Sequence, residues 1–246
     1  MEVPAGVNRE VTMRNADIFL ATFHQIERHL AKLVNAKKHE SFGRLVGLAS
    51  SKSAVVRAYA DDLREYADLR NAIVHQRTEP ERVIAEPYPE TVEQIQRIRD
   101  ALLRPLCVYP LFKTEVEVLD VEDQMGKAFE LIARKDYSKF PVYEGKERYC
   151  GFITEKEIAR WLAVAQGELR QTEELRQTPV KEVLAYADSE NTVAFIPGDT
   201  NVYEARELFS GRGGKALRAL LISENGLSTE PLLGIITPKS LLSVDF

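Results

Sequence analysis

Cysteine is scarce in this sequence: Cys107 and Cys150 are the only two in 246 residues. They form no short-spaced motif, so neither a disulfide framework nor a cysteine-based metal knuckle is expected. Histidine is scarce as well. His24 and His29 do not fall at a helical metal-ligand spacing, and no metal site is expected. Long apolar runs are missing, and no stretch approaches the roughly 20 residues that a bilayer span needs. Met1–Val11 lacks the basic start and apolar core of a secretory signal. Together these absences predict a cytoplasmic protein with no membrane partner. Positive charge is not in excess either, the net charge being −5. Residues 1–112 carry 16 Lys+Arg against 15 Asp+Glu, and residues 113–246 carry 17 against 23. Neither part is a bulk basic platform for nucleic acid, so any RNA contact has to rest on a local patch.

What remains is an ordinary globular composition, 44% hydrophobic and 29% charged, in a length that suits two or three domains. In the first part, Phe19, Phe23, Ile26, Leu30 and Leu33 recur at steps of four and three, the stripe of a helix over about Val11–Ala36. Phe42–Leu48 predicts a short second helix. Ser53 is a candidate N-cap for a third, running to His75 with Val56, Tyr59, Leu63, Tyr66 and Ile73 inside. Pro80, Pro87 and Pro89 predict a loop. Val92, Ile95, Ile98, Leu102 and Leu106 predict a last amphipathic helix. The expectation is an all-helical bundle.

On the third helix Arg57, Asp61, Arg64, Asp68, Asn71 and His75 share one stripe. As surface chemistry, Arg57–Asp61 and Arg64–Asp68 are i,i+4 ion pairs, and His75 suits a helix C-terminus. Arg70-Asn71-Ala72-Ile73-Val74-His75 also resembles the Arg-x4-6-His signature of HEPN domains, which are helical bundles. That resemblance implies a metal-independent ribonuclease whose site is shared across a homodimer. His75 would move a proton at the RNA 2′-hydroxyl or leaving oxygen. Arg70 would neutralise the scissile phosphate, and Asn71 would orient one of them. The residue types suit these roles, since histidine titrates near neutrality and arginine forks onto phosphate. On an ideal helix Arg70 and His75 are rotated by about 140°, so their convergence needs a long arginine reach, a loosened last turn or a second subunit. Some HEPN domains are non-catalytic. The adenylylation acceptor of one subgroup, a Tyr two residues past the His, is replaced here by Arg77.

The second part repeats itself. Gly151-Phe152-Ile153-Thr154 is echoed by Gly234-Ile235-Ile236-Thr237. Val116–Val121 matches Thr192–Ile196, Met125–Arg134 matches Val202–Phe209, and Phe140-Pro141-Val142-Tyr143 matches Ala219-Leu220-Leu221-Ile222. A period of about 80 residues is too long for a solenoid. It fits a small domain that is duplicated and buries its apolar face against its copy. The order strand–helix–strand–strand–helix, with Pro141-Val142, the two Gly-apolar-apolar-Thr motifs and Ile196-Pro197-Gly198-Asp199-Thr200, resembles a tandem CBS pair, the Bateman module.

That resemblance implies a regulatory adenosine-type ligand: AMP, ADP, ATP or a related molecule. In copy one it assigns Thr154 and Glu157 to the ribose, with Thr114, Val116, Phe140 and Pro141 lining the base. Glu157 stands where the family has Asp. In copy two it assigns Thr237, with Ser240 where the carboxylate would be, so copy one is the better ribose site. Lys215, Arg218 or Lys239 would bind phosphate there. The same residues also read as helix caps. Thr154-x-x-Glu157 is a capping box worth about 1 kcal/mol, and Thr237-Pro238 is a cap followed by Pro at the first helical position. Gly211–Lys215 lacks P-loop spacing. Gln166–Pro179 is charged and polar and predicts a segment that links or extends the copies.

The expected fold is therefore α+β: an all-α, HEPN-like bundle over 1–110, then CBS domains over 111–168 and 169–246, each βαββα. The expected function is an adenine-nucleotide-sensing CBS module that regulates the bundle, which acts on RNA as a ribonuclease. The alternative is a non-catalytic nucleotide-binding protein whose bundle serves dimerisation or partner docking. Both readings expect a homodimer and no catalytic cofactor.

Overall fold

A computed structural model describes residues 13–37, 39–75, 85–135, 137–145, 147–167, 171–187, 193–211 and 217–244. The chain divides into two compact units, Met1–Leu106 and Cys107–Phe246.

In the first unit the described residues form helices α1 (Asn15–Leu33), α2 (Phe42–Ser50), α3 (Ala54–Ala58), α4 (Ala60–His75) and α5 (Pro89–Leu103). The predicted stripe of α1 is its buried face, with Phe19, Phe23, Ile26 and Leu30 in the core. It packs along α5, which buries Val92, Ile95, Ile98 and Leu102. The start of α1 is held by the segment before α5: Glu86 accepts from the Ala16 N–H at 3.1 Å, and Asn15 donates to the Pro87 carbonyl at 3.0 Å.

Three expectations change here. Pro89 does not extend a loop but opens α5, where a missing N–H costs nothing and the fixed φ is already helical. Pro80 lies outside the described residues. The single third helix is broken at Tyr59 (φ −108°, ψ 17°). Ala54, Val55 and Val56 are all buried within the short α3, and α4 starts afresh at Ala60. Leu106 falls beyond α5 and is exposed.

The second unit carries α6 (Val108–Leu111), β1 (Leu119–Asp120), α7 (Met125–Lys135), β2 (Lys139–Glu144), β3 (Arg148–Thr154), α8 (Glu155–Gly167), α9 (Thr172–Gln177) and α10 (Val180–Leu184). It then repeats the pattern with β4 (Val193–Pro197), α11 (Val202–Phe209), β5 (Ala219–Ser223), β6 (Gly234–Ile236) and α12 (Pro238–Leu242). Each copy is a three-stranded sheet in which the first strand runs parallel and the third antiparallel to the middle one. The polar Gln166–Pro179 stretch includes the end of α8 and all of α9.

The two copies exchange their leading segments. The segment before copy one docks on copy two: Val108 N–H donates to Thr200 O at 2.8 Å, Tyr109 N–H to Gly198 O at 3.0 Å and Thr114 N–H to Leu233 O at 3.2 Å. The segment before copy two docks on copy one: Val180 N–H donates to Asp123 O at 2.8 Å, and Val180 and Val183 join the core of Leu119, Met125, Phe140, Ile153 and Trp161. Between the sheets, Phe152 of β3 packs on Ala219 and Leu221 of β5. The apolar face that each small sheet cannot cover alone is covered by its copy.

Candidate functional site

The repeated Gly-apolar-apolar-Thr motif ends a strand and starts a helix in both copies. In copy one, Thr154 closes β3 and its hydroxyl accepts from the Lys156 N–H at 3.2 Å, so it caps α8. Glu157 turns back and takes the Thr154 N–H at 3.0 Å and the Thr154 hydroxyl on Oε2. Its other oxygen, Oε1, takes Arg218 Nη1 of copy two at 2.7 Å. The Glu157 side chain is fully buried, while that of Arg218 keeps 27% exposure. Burial pushes the Glu157 carboxyl up, but the hydrogen bonds from Thr154 and Arg218 outweigh it and hold the carboxyl below its ordinary range. A carboxylate buried this way is tolerated because every bond it makes is to its charged form.

Ser138, Lys139, Thr154, Glu155, Lys156, Leu217, Arg218 and Pro238 line a cleft of about 530 Å³. Both copies contribute the same two places to it, the residues just before the middle strand and the start of the last helix. The Glu155 N–H already donates to Ser138 O at 3.2 Å. The cleft's charged lining is three cations and Glu155, and its volume is within the range of small-molecule sites.

The other predicted ligand residues lie elsewhere. Thr114 is exposed and hydrogen-bonded to copy two, Val116 is half-buried, and Phe140 and Pro141 are buried in β2, Phe140 within the core of copy one. None of these four lines the cleft at Thr154. In copy two, Thr237 caps the short α12: its hydroxyl accepts from Ser240 N–H at 3.2 Å, and Ser240 Oγ accepts from Thr237 N–H at 2.9 Å. Lys215 lies outside the described residues.

In the helical unit, Arg70 and Asn71 sit together on α4, with Arg70 Nη1 donating to Asn71 Oδ1 at 3.2 Å. They line a second cleft, of about 490 Å³, with Phe23, Glu27, Glu40, Phe42, Arg64 and Asp68 among its other walls. Phe23 and Phe42 touch at 4.4 Å between ring centroids. His75 is the last residue of α4, and its side chain lies outside the described residues. One surface ion pair differs from the one expected: Arg64 reaches back to Asp61 at 2.6 Å. Arg57 donates to Ser50 O. Long side chains on a helix lean toward its N-terminus, which favours the earlier partner. Among the described residues no cluster of His, Cys, Asp and Glu is arranged to hold a metal, and no helix is long and apolar enough to cross a membrane.

The link between Glu157 and Arg218 is the contact that pattern reading missed. A signal for it was present. The repeat aligns Phe140 with Ala219, so Arg218 holds the place of Lys139. A two-fold arrangement brings that place of one copy to the helix start of the other.

Comparison with known proteins agrees with this architecture. The CBS domain family model matches residues 108–164 and 180–245, together half of the chain. The chain belongs to the CBS domain family. Its fold is similar to the CBS domain of a CBS domain containing membrane protein from Sphaerobacter thermophilus, at 16% identity over 63% of this chain and 97% of that one, TM-score 0.45. It is also similar to a hemolysin-like CBS protein of Oenococcus oeni PSU (17% identity, 56% and 89% covered, TM-score 0.40). CBSX2, solved in complex with AMP, matches at 16% identity over 55% of this chain and 92% of that one, TM-score 0.40. No curated protein sequence matches the chain.

Proposed function

We propose that the paired CBS copies bind an adenine nucleotide in the cleft at Thr154 and thereby regulate the helical unit. The observation that carries this reading is the convergence of Lys139 and Lys156 of copy one with Arg218 of copy two around one cleft. Three cations, against Glu155 in the lining and Glu157 bonded to Arg218, leave a positive excess that suits a phosphorylated ligand. The CBS family supplies the expectation that the ligand is AMP, ADP or ATP. Thermal melts of the full chain test it. A nucleotide at a hundred times its dissociation constant adds about 2.7 kcal/mol of stability. Absence of a shift with all three nucleotides at millimolar concentration overturns the proposal.

The helical unit is proposed to be HEPN-like and to act as a homodimeric, metal-independent ribonuclease, with Arg70, Asn71 and His75 in the roles given above. Placement of Arg70 and Asn71 at the wall of a cleft supports this. Regulation then requires that the nucleotide bind two arrangements of the module with different affinity. One observation favours the rival, a non-catalytic docking bundle: Glu27, Glu40 and Asp68 outnumber Arg64 and Arg70 around that cleft, a poor setting for a polyanion. Incubation with RNA in EDTA separates the two. The nuclease reading expects cleavage that His75→Ala abolishes, and no cleavage with or without nucleotide leaves the docking reading.

A further inference from the structure

We propose that residues 107–114 form a strap that fastens the chain leaving the helical unit to copy two, so that loosening copy two releases the strap and a ligand in the cleft at Thr154 tightens it. The second half of this inference rests on reading that cleft as a nucleotide site.

The strap begins where the helical unit ends, at Leu106, and leads into copy one. Its bonds go to the other copy. The N–H groups of Val108, Tyr109 and Thr114 donate to the carbonyls of Thr200, Gly198 and Leu233, and antiparallel bridges pair Cys107 with Asn201 and Lys113 with Gly234. Val108 is fully buried. One residue past the strap, copy one takes over: the Tyr137 hydroxyl donates to Glu115 O at 3.3 Å. Two glycines of copy two make room for the strap. A Cβ on Gly198 would stand 3.1 Å from Tyr109 Cβ, and one on Gly234 would overlap the Phe112 carbonyl. Neither glycine has the left-handed backbone that would call for it on conformational grounds. The approach of the strap is what requires them.

The strap and the cleft hold opposite ends of one hairpin. Arg218 precedes β5 and Pro238 lies just past β6, and both line the cleft. Ile222 pairs with Gly234 at the far end, where the strap docks. The three residues of β6, a span of about 10 Å, separate the two. A ligand held between Arg218 and Pro238 needs this hairpin formed, and so does the strap. Two partners that require the same element strengthen each other by the same factor. The helical unit is thereby coupled to the ligand through copy two, although copy one is its neighbour in sequence and supplies Thr154.

Amide hydrogen exchange on the full chain tests the strap. Ala128 of α7 and Ala205 of α11 hold matching places in the two copies, and both are fully buried. Glycine at either place loosens its own copy. In Ala205→Gly the amides of Val108, Tyr109 and Thr114 should exchange on the order of fivefold faster, while that of Val180, which docks on copy one, should not change. Ala128→Gly should do the reverse. Strap amides that respond to neither variant, equally to both, or only to Ala128→Gly overturn the strap. Should either variant fail to fold, wild-type exchange in low urea decides: strap amides that follow those of β5 support the strap, and strap amides that follow those of β2 overturn it. AMP, at a concentration that thermal melts show to be saturating, should slow the strap amides about tenfold or more. Bound AMP that leaves them unchanged overturns the coupling while the nucleotide site stands. If the melts show no binding, the nucleotide reading falls and the coupling with it, and the alanine pair still decides the strap.

Discussion

Arg218→Leu is expected to lower the stability of the unliganded chain by about 2–3 kcal/mol at neutral pH. Removing one member of a buried pair leaves the other charged and uncompensated, at a cost of roughly 3–5 kcal/mol when both are dry. Arg218 keeps 27% exposure, so water screens part of that loss. The pH dependence follows from the direction of the Glu157 shift. Its carboxyl titrates below the ordinary value of 4.5 in the folded chain. The stability it confers is fully present above that ordinary value and is lost as pH falls through the depressed one. The gap between wild type and Arg218→Leu should therefore be widest near neutrality and should close on acidification past the ordinary carboxylate range. Adding Glu157→Gln to Arg218→Leu removes the stranded charge and should recover most of the loss. Denaturant unfolding at several pH values measures all three chains. A deficit that stays constant with pH, or a double variant no better than Arg218→Leu, would mean that Arg218 acts by packing alone.

The Glu157–Arg218 pair also marks where the sequence stops being legible. Local patterns were readable because they are local. The helical stripes of α1 and α5, the N-cap at Ser53 and the Thr154-x-x-Glu157 box each depend on neighbours within one or two turns. The repeat could be read because matching Gly-apolar-apolar-Thr motifs demand the same strand-to-helix joint twice. Glu157 itself carries two meanings in the sequence, a capping acid and a ribose acceptor. The structure adds a third partner, 61 residues away. Nothing within a short window of either residue encodes that contact; only the superposition of the two copies does. The exchange of α6 and α10 is equally invisible locally. Val180 and Val183 complete the core of the copy they follow because the chain turns back at Pro179, with Met125 N–H donating to Thr178 O. The break at Tyr59 was hidden for the opposite reason. A stripe drawn through it fits a straight helix, and the non-helical backbone at Tyr59 (φ −108°, ψ 17°) leaves no mark on that pattern.

Gly234→Ala is expected to cost about 3 kcal/mol or more, although alanine is the smallest addition a chain can make. Gly234 pairs with Ile222 in the β5–β6 ladder, and its other side forms an antiparallel bridge with Lys113. A Cβ at this position would stand 2.1 Å from the Phe112 carbonyl oxygen and 3.1 Å from its carbon. These are backbone atoms, so no rotamer change relieves the overlap. The segment leading to copy one would have to leave β6, taking the Thr114–Leu233 hydrogen bond with it. The equivalent glycine of copy one has a different task. Gly151 sits at φ +157°, where the β2–β3 register shifts, and a Cβ there would meet the tip of Leu184 at 2.7 Å. Its glycine is required by backbone conformation at a bulge, whereas Gly234 is required by the close approach of a neighbouring strand segment. Trimming Leu184 to alanine should therefore relieve part of the Gly151→Ala defect, while no side-chain truncation near Gly234 should relieve its own. Urea unfolding of the single and double variants measures this. A Gly234→Ala chain within about 1 kcal/mol of wild type would mean that the Phe112–Thr114 segment does not lie against β6 in solution, and the exchange of leading segments between the copies would lose its anchor.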